Sequence, residues 1–172
     1  LPEAETRAAG EDSAKGGVTN VDKSKYDIRY ILEVYDENGV LAKERMVKTS
    51  DETTTAFSFR LVPGRAYNFV VWADFVEQGE SSDLHYNTAD LKSVTRINTK
   101  PVAMDECQDA YFIKRDLSVG TNGLSESLEL KRPFAQINIK TNDAKEAEQS
   151  GLTVENVAVI VKKGYTAFNF VS

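Results

Sequence analysis

Residues 61–75 read Leu61-Val62-Pro63-Gly64-Arg65-Ala66-Tyr67-Asn68-Phe69-Val70-Val71-Trp72-Ala73-Asp74-Phe75. After the Pro63-Gly64 step, Tyr67, Phe69, Val71, Ala73 and Phe75 recur with period two. Before it, Phe57, Phe59 and Leu61 alternate with Ser58 and Arg60. Successive side chains of a strand point to opposite faces, so each run presents one apolar face. Proline fixes φ and glycine tolerates φ > 0, which suits a tight reversal between the runs. The expectation is a hairpin of residues 53–62 with 65–76. Its aromatic faces require a second sheet as cover, hence an all-β sandwich. Trp72 falls out of phase with Tyr67, Phe69 and Val71, so it is expected on the outer face or under the long loop, as the best candidate for a buried anchor outside the main core.

Working outward, residues 26–35 alternate in the same way, with Ile28, Tyr30, Leu32 and Val34 on one face and Asp27, Arg29, Glu33 and Tyr35 on the other. Asp36-Glu37-Asn38-Gly39 is a hairpin turn with Asn-Gly where φ > 0 is needed, and residues 40–48 return as the partner strand. Residues 110–119 and 124–131 form another predicted hairpin across Gly120-Thr121-Asn122-Gly123. Strands are further expected at 134–140, 152–162 and 165–171. One short connector helix is expected at 143–149, with Asp143 capping it, Glu146 three residues later and Gly151 stopping it. Residues 77–109 break the rhythm, and a loop of that length carries function or short irregular elements. Residues 1–25 read as a flexible tether with no alternating strand, and 26–172 as the sandwich domain. The apolar run reaching Ser172 suggests a natural protein that continues, with this as its N-terminal domain.

Composition narrows function. The chain has 172 residues and a formal net charge of −6, from 27 acids against 21 bases. No basic stripe invites nucleic acid or anionic lipid. Seven acids (Glu77, Glu80, Asp83, Asp90, Asp105, Glu106 and Asp109) crowd the long loop, read first as solvated charge. Cys107 is the only cysteine and His85 the only histidine, so internal disulfides and Cys/His zinc sites are excluded. No apolar run reaches the ~18 residues a membrane helix needs. The opening Leu1-Pro2-Glu3 suggests a chain whose targeting segment has been removed.

Catalytic patterns are thin. His85, in Asp83-Leu84-His85-Tyr86, has no sequence-legible nucleophile or oxyanion hole beside it and reads as a loop contact. Cys107 sits between acids that disfavour a thiolate. Gly120 and Gly123 flank a turn, not a strand-to-helix phosphate loop. No enzyme activity, cofactor or metal is expected.

Three stretches carry a resemblance: Tyr26-Asp27-Ile28-Arg29-Tyr30-Ile31-Leu32-Glu33-Val34-Tyr35, the run from Leu61-Val62-Pro63-Gly64 to Val71-Trp72-Ala73-Asp74, and Leu128-Glu129-Leu130-Lys131-Arg132-Pro133-Phe134-Ala135, joined by Thr166-Ala167-Phe168-Asn169. Together they resemble the N-terminal domain of the fimbrillin-type surface proteins of Bacteroidales. The resemblance implies a transthyretin-like Greek-key β-sandwich in a lipoprotein exposed on the cell outer membrane and built into a fimbrium. It implies other fimbrial subunits as partners, with host or bacterial surface ligands besides, no nucleic acid, and membrane contact only through a lipid anchor outside this chain. Members of that group serve as stalk subunits, tips or anchors; for a stalk subunit the resemblance implies removal of an N-terminal segment by an Arg-specific protease, after which a neighbour's strand fills the opened groove. Thr6-Arg7-Ala8-Ala9 is similar to the cleavage context, with the cut between Arg7 and Ala8, and Asp12-Ser13-Ala14 is similar to an O-glycosylation motif with Ser13 as acceptor. The alternative function is a surface carbohydrate-binding sandwich using Trp72, Tyr86 or Tyr111 as stacking platforms.

Overall fold

The computed structural model describes residues 4–6, 21–98, 105–134, 137–139, 144–151 and 167–169. Its elements are, in chain order, β1 (Ala4–Thr6), β2 (Tyr26–Tyr35), β3 (Leu41–Ser50), β4 (Ala66–Glu77), β5 (Tyr86–Asn87), β6 (Val94–Arg96), a 3₁₀ turn (Glu106–Gln108), β7 (Ala110–Ser118), β8 (Ile137–Ile139), α1 (Ala144–Gln149) and β9 (Ala167–Phe168). The protein is all-β. Every described ladder is antiparallel, in sheets ordered β3-β2-β4-β7, β5-β6-β9 and β1-β8.

The alternation read in β2 and β4 sorts their side chains as expected. Ile28, Tyr30, Leu32 and Val34 meet Tyr67, Phe69, Val71, Ala73 and Phe75 on one face of the large sheet. The other face is apolar too: Ile31, Tyr35, Val70 and Trp72 pack against Tyr86, Leu91 and Val94 of the long loop. Both central strands are therefore buried on both sides, and the small sheet β5-β6-β9 supplies the second layer of the sandwich. Trp72 is 0% exposed. Tyr86 meets it edge-on at 5.2 Å between ring centroids, and Phe168 lies at 6.4 Å. Such rings bury 150–250 Å² each and dominate core energetics.

The first predicted hairpin needs correction. Residues 51–65 contain no strand. Phe57, Phe59 and Leu61 do turn inward, packing against the β2–β4 face, with Phe59 and Phe69 rings 6.4 Å apart. The segment is extended and its alternation is real, but it lies on the sheet and not in it. The long loop carries short irregular elements, as its length suggested: β5, β6 and the 3₁₀ turn. Turns behave as their residues dictate. Gly39 has φ 72°, and the Asp36 carboxylate accepts from the amides of Asn38 and Val40. Gly64 has φ 77° in the Pro63-Gly64 turn. Helix α1 ends ahead of Gly151, as predicted. The strand expected at 152–162, most of that at 165–171 and the cap Asp143 lie outside the described residues.

Candidate functional site

Sequence alone showed no strand before residue 26, yet β1 is one. Ala4, Glu5 and Thr6 pair antiparallel with Ile139, Asn138 and Ile137 of β8. Three residues are too few for alternation to register. The pairing falls immediately before Arg7-Ala8 in sequence, the step singled out for cleavage. Arg7, Ala8 and Ser13 themselves lie outside the described residues.

A second edge lies on the large sheet. Among the described residues β7 is its last strand, bonded on one side to β4. Across its other side the predicted hairpin with residues 124–131 is only partly made. Bridges join Gly120 to Gly123 and Phe112 to Lys131, the latter through both Phe112 N–H to Lys131 O at 2.9 Å and the reverse at 3.0 Å. Between those two points no ladder forms among the described residues, although Leu128 and Leu130 rest on the core face.

The long loop is clamped to the sheet by charge. Arg29 on β2 forms a two-pronged pair with Asp74 of β4, Nε–Oδ1 2.9 Å and Nη2–Oδ2 2.6 Å. Its Nη1 donates to Asp83 Oδ1 at 2.8 Å and to Ser81 O at 2.9 Å. Asp83 in turn accepts from Thr88 N–H and Thr88 Oγ1. A parallel chain runs from Arg45, whose Nε donates to Glu33 at 2.8 Å and whose Nη2 donates to Thr88 O at 2.5 Å, while Tyr35 donates to Glu33. Arg29 and Glu33, read from sequence simply as members of the second face of β2, are thus buried partners. Burial raises the Asp74 carboxyl, with Arg29 pulling against it. At Asp83 burial pulls upward but the Thr88 and Arg29 bonds outweigh it, holding its carboxyl below the usual range. A buried charge persists only when paired and hydrogen-bonded, and here every member is.

His85 and Cys107 meet, which their separation in sequence concealed. Cys107 Sγ lies 3.4 Å from His85 Nε2 and donates to Asp105 Oδ1 at 2.7 Å. The grouping superficially matches a nucleophile, base and acid. Its electrostatics run the other way: burial, then the Asp105 carboxylate, push the thiol up to about 11. Burial likewise lowers His85. A thiol held protonated donates a hydrogen bond to Asp105 and is a weak nucleophile. Asp105 caps the 3₁₀ turn by accepting from the Cys107 amide. Among the described residues no three His, Cys, Asp or Glu side chains gather as a metal site.

Two of the three aromatics named for glycan stacking, Trp72 and Tyr86, are buried, and Tyr111 is partly exposed. Trp72 is enclosed, Tyr86 is 1% exposed with its hydroxyl donating to Gln108 O, and Tyr111 is half-buried beside Arg132. Stacking on sugar needs an open ring face, and the core has taken those of Trp72 and Tyr86.

Among the described residues, two layers of antiparallel strands with incomplete pairing at their margins define a β-sandwich. The chain belongs to a family of unknown function, DUF6562, whose model matches residues 1–172. No curated protein and no solved structure matches it.

Proposed function

We propose that this chain is a non-enzymatic surface protein of the fimbrillin kind, a transthyretin-like sandwich exposed on the outer membrane that joins other subunits by strand insertion. The observation carrying this reading is the β1–β8 pairing immediately before Arg7. A cut between Arg7 and Ala8 would leave Ala4–Thr6 attached to the body through this short ladder. Net worth per backbone hydrogen bond is only about 0.5–1.5 kcal/mol, so a three-residue strand leaves readily once severed. Its departure bares the main-chain groups of Ile137–Ile139, which an extended strand from a neighbour can pair in turn. Main-chain bonds then supply affinity and alternating side chains supply register.

Limited digestion with an Arg-specific protease tests the proposal. Intact mass should show loss of residues 1–7, followed by SDS-resistant ladders of the processed protein. Cleavage elsewhere first, or a processed chain that stays monomeric at high concentration, refutes assembly by this route. An Arg7→Ala variant should block both steps.

A further inference from the structure

The half-made hairpin after β7 is set for closure. Its two bridges, Gly120 with Gly123 and Phe112 with Lys131, stand eight residues apart along each arm, so one register governs both. That register places Lys114 opposite Glu129, Asp116 opposite Ser127 and Ser118 opposite Ser125. In an antiparallel strand each residue directs its N–H and C=O to the same side, and sides alternate. Val119 directs both groups towards the β4 side, to Arg65 O and from Gly64 N–H, whereas Phe112 bonds Lys131. Lys114, Asp116 and Ser118 therefore face outward with Phe112, toward the partner arm. None of these three rungs is made among the described residues. The sequence is nevertheless written for them: Lys114 meets Glu129, an opposite-charge cross-strand pair, and Ser118 meets Ser125, two small hydroxyl side chains beside the turn. On the inward register, Ile113 meets Leu130, and both rest on the same core cluster.

We propose that residues 124–130 form a strap that closes onto β7, giving the large sheet two states: a sealed one with a fifth strand, and the open one seen here. The strap is the occupant of the β7 edge. Its hinge points are the Gly120–Gly123 turn, where Gly123 has φ 88°, and the Lys131 bridge. An open strand edge is a template for pairing with another chain, and a strap fixed at both ends covers it without any search for register. The inference does not depend on the fimbrial reading, since β1 and β8 take no part in it.

Residue-resolved amide exchange on the wild-type chain provides the test. Ile113, Arg115 and Leu117, which face β4, should exchange slowest. Lys114, Asp116 and Ser118 should be slowed by about ten-fold or more relative to an unstructured peptide, yet exchange about ten-fold or more faster than their inward neighbours, as expected for a local opening well below global unfolding. Outward amides at unstructured rates would mean that the strap never closes. Outward amides as protected as the inward ones would mean a permanent fifth strand. Either result overturns the proposal. A trapping experiment adds a second arm. With Cys107→Ser as background, Arg115→Cys/Leu128→Cys should oxidise about ten-fold or more faster than the out-of-register pair Arg115→Cys/Leu130→Cys, because side chains of a directly opposed pair lie closer than diagonal ones. Oxidation of the first pair should slow the outward amides to the inward rates. Equal oxidation of both pairs, or unchanged exchange after trapping, rejects the strap.

Discussion

Replacing Arg29 with methionine should damage this protein more than any surface charge change. Asp74 is 1% exposed and receives both prongs of the guanidinium at 2.9 and 2.6 Å. Methionine fills much of the arginine stem but leaves the buried carboxylate without its cationic partner. Removing one partner of a buried pair costs about 3–5 kcal/mol. Against a total stability of about 5–15 kcal/mol this threatens the fold. For a domain of this size it corresponds to a fall of roughly 6–20 °C in melting temperature, at about 2–4 °C per kcal/mol. The pH dependence gives the sharper check. Burial already raises the Asp74 carboxyl, and Arg29 opposes that rise. Without Arg29 the folded-state value lies further above the unfolded one, so the variant's folded state holds a proton that the unfolded state has lost. Stability then falls as pH rises between the two values. Urea unfolding of both proteins from pH 7 down to pH 4 should show the deficit shrinking on acidification. Arg29→Met/Asp74→Leu, which removes both charges, should recover most of the loss at pH 7. A single-variant deficit under about 1 kcal/mol, or one that grows towards low pH, would refute the account of this pair as a desolvated, mutually dependent unit.

Asp83 titrates in the opposite sense. Its folded-state carboxyl is held down, so its contribution is present above the unfolded value and is lost as pH falls through the folded one. An Asp83→Asn variant should therefore show a flatter urea midpoint between pH 5 and pH 2 than the wild type, for which about 3.9 is the unfolded reference. Trp72→Ala should cost about 3–5 kcal/mol by denaturant unfolding, because the cavity lies between Tyr86 and Phe168. Trp72 is the only tryptophan, so its native fluorescence should resist acrylamide quenching until the chain unfolds. Cys107 should react with a maleimide in the native protein far more slowly than a free thiol at pH 8, since its thiol is pushed up to about 11. Asp105→Asn should speed that reaction by removing the carboxylate that raises it, and no acceleration would count against the Cys107–Asp105 contact.

Period-two patterning carried a good part of the architecture. β2 matches its predicted bounds and β4 falls within a residue of its own, because an apolar residue at every second position suits a strand and no other regular element. β3 and β7, also within a residue or two, were placed by the turns at Asp36–Gly39 and Gly120–Gly123. The phase of Trp72 left it either on the outer face or under the long loop, and the structure places it beneath Tyr86 and Phe168. Phe57, Phe59 and Leu61 show the limit of the method. Their alternation is genuine, but periodicity reports which way side chains point and says nothing about whether the backbone finds a ladder.

What residues 26–35 and 66–77 could decide alone was that they are strands with at least one face to hide. That both faces are hidden, and that Arg29 and Glu33 lie beneath a loop, followed from where residues 77–98 came to rest. The same holds for β1 against β8 and for Cys107 against His85, partners far apart in the chain. Local propensity is a property of neighbouring residues and survives in the sequence. Pairing across long separations depends on loop closure and on the competition among surfaces for burial, and only the folded chain resolves that competition.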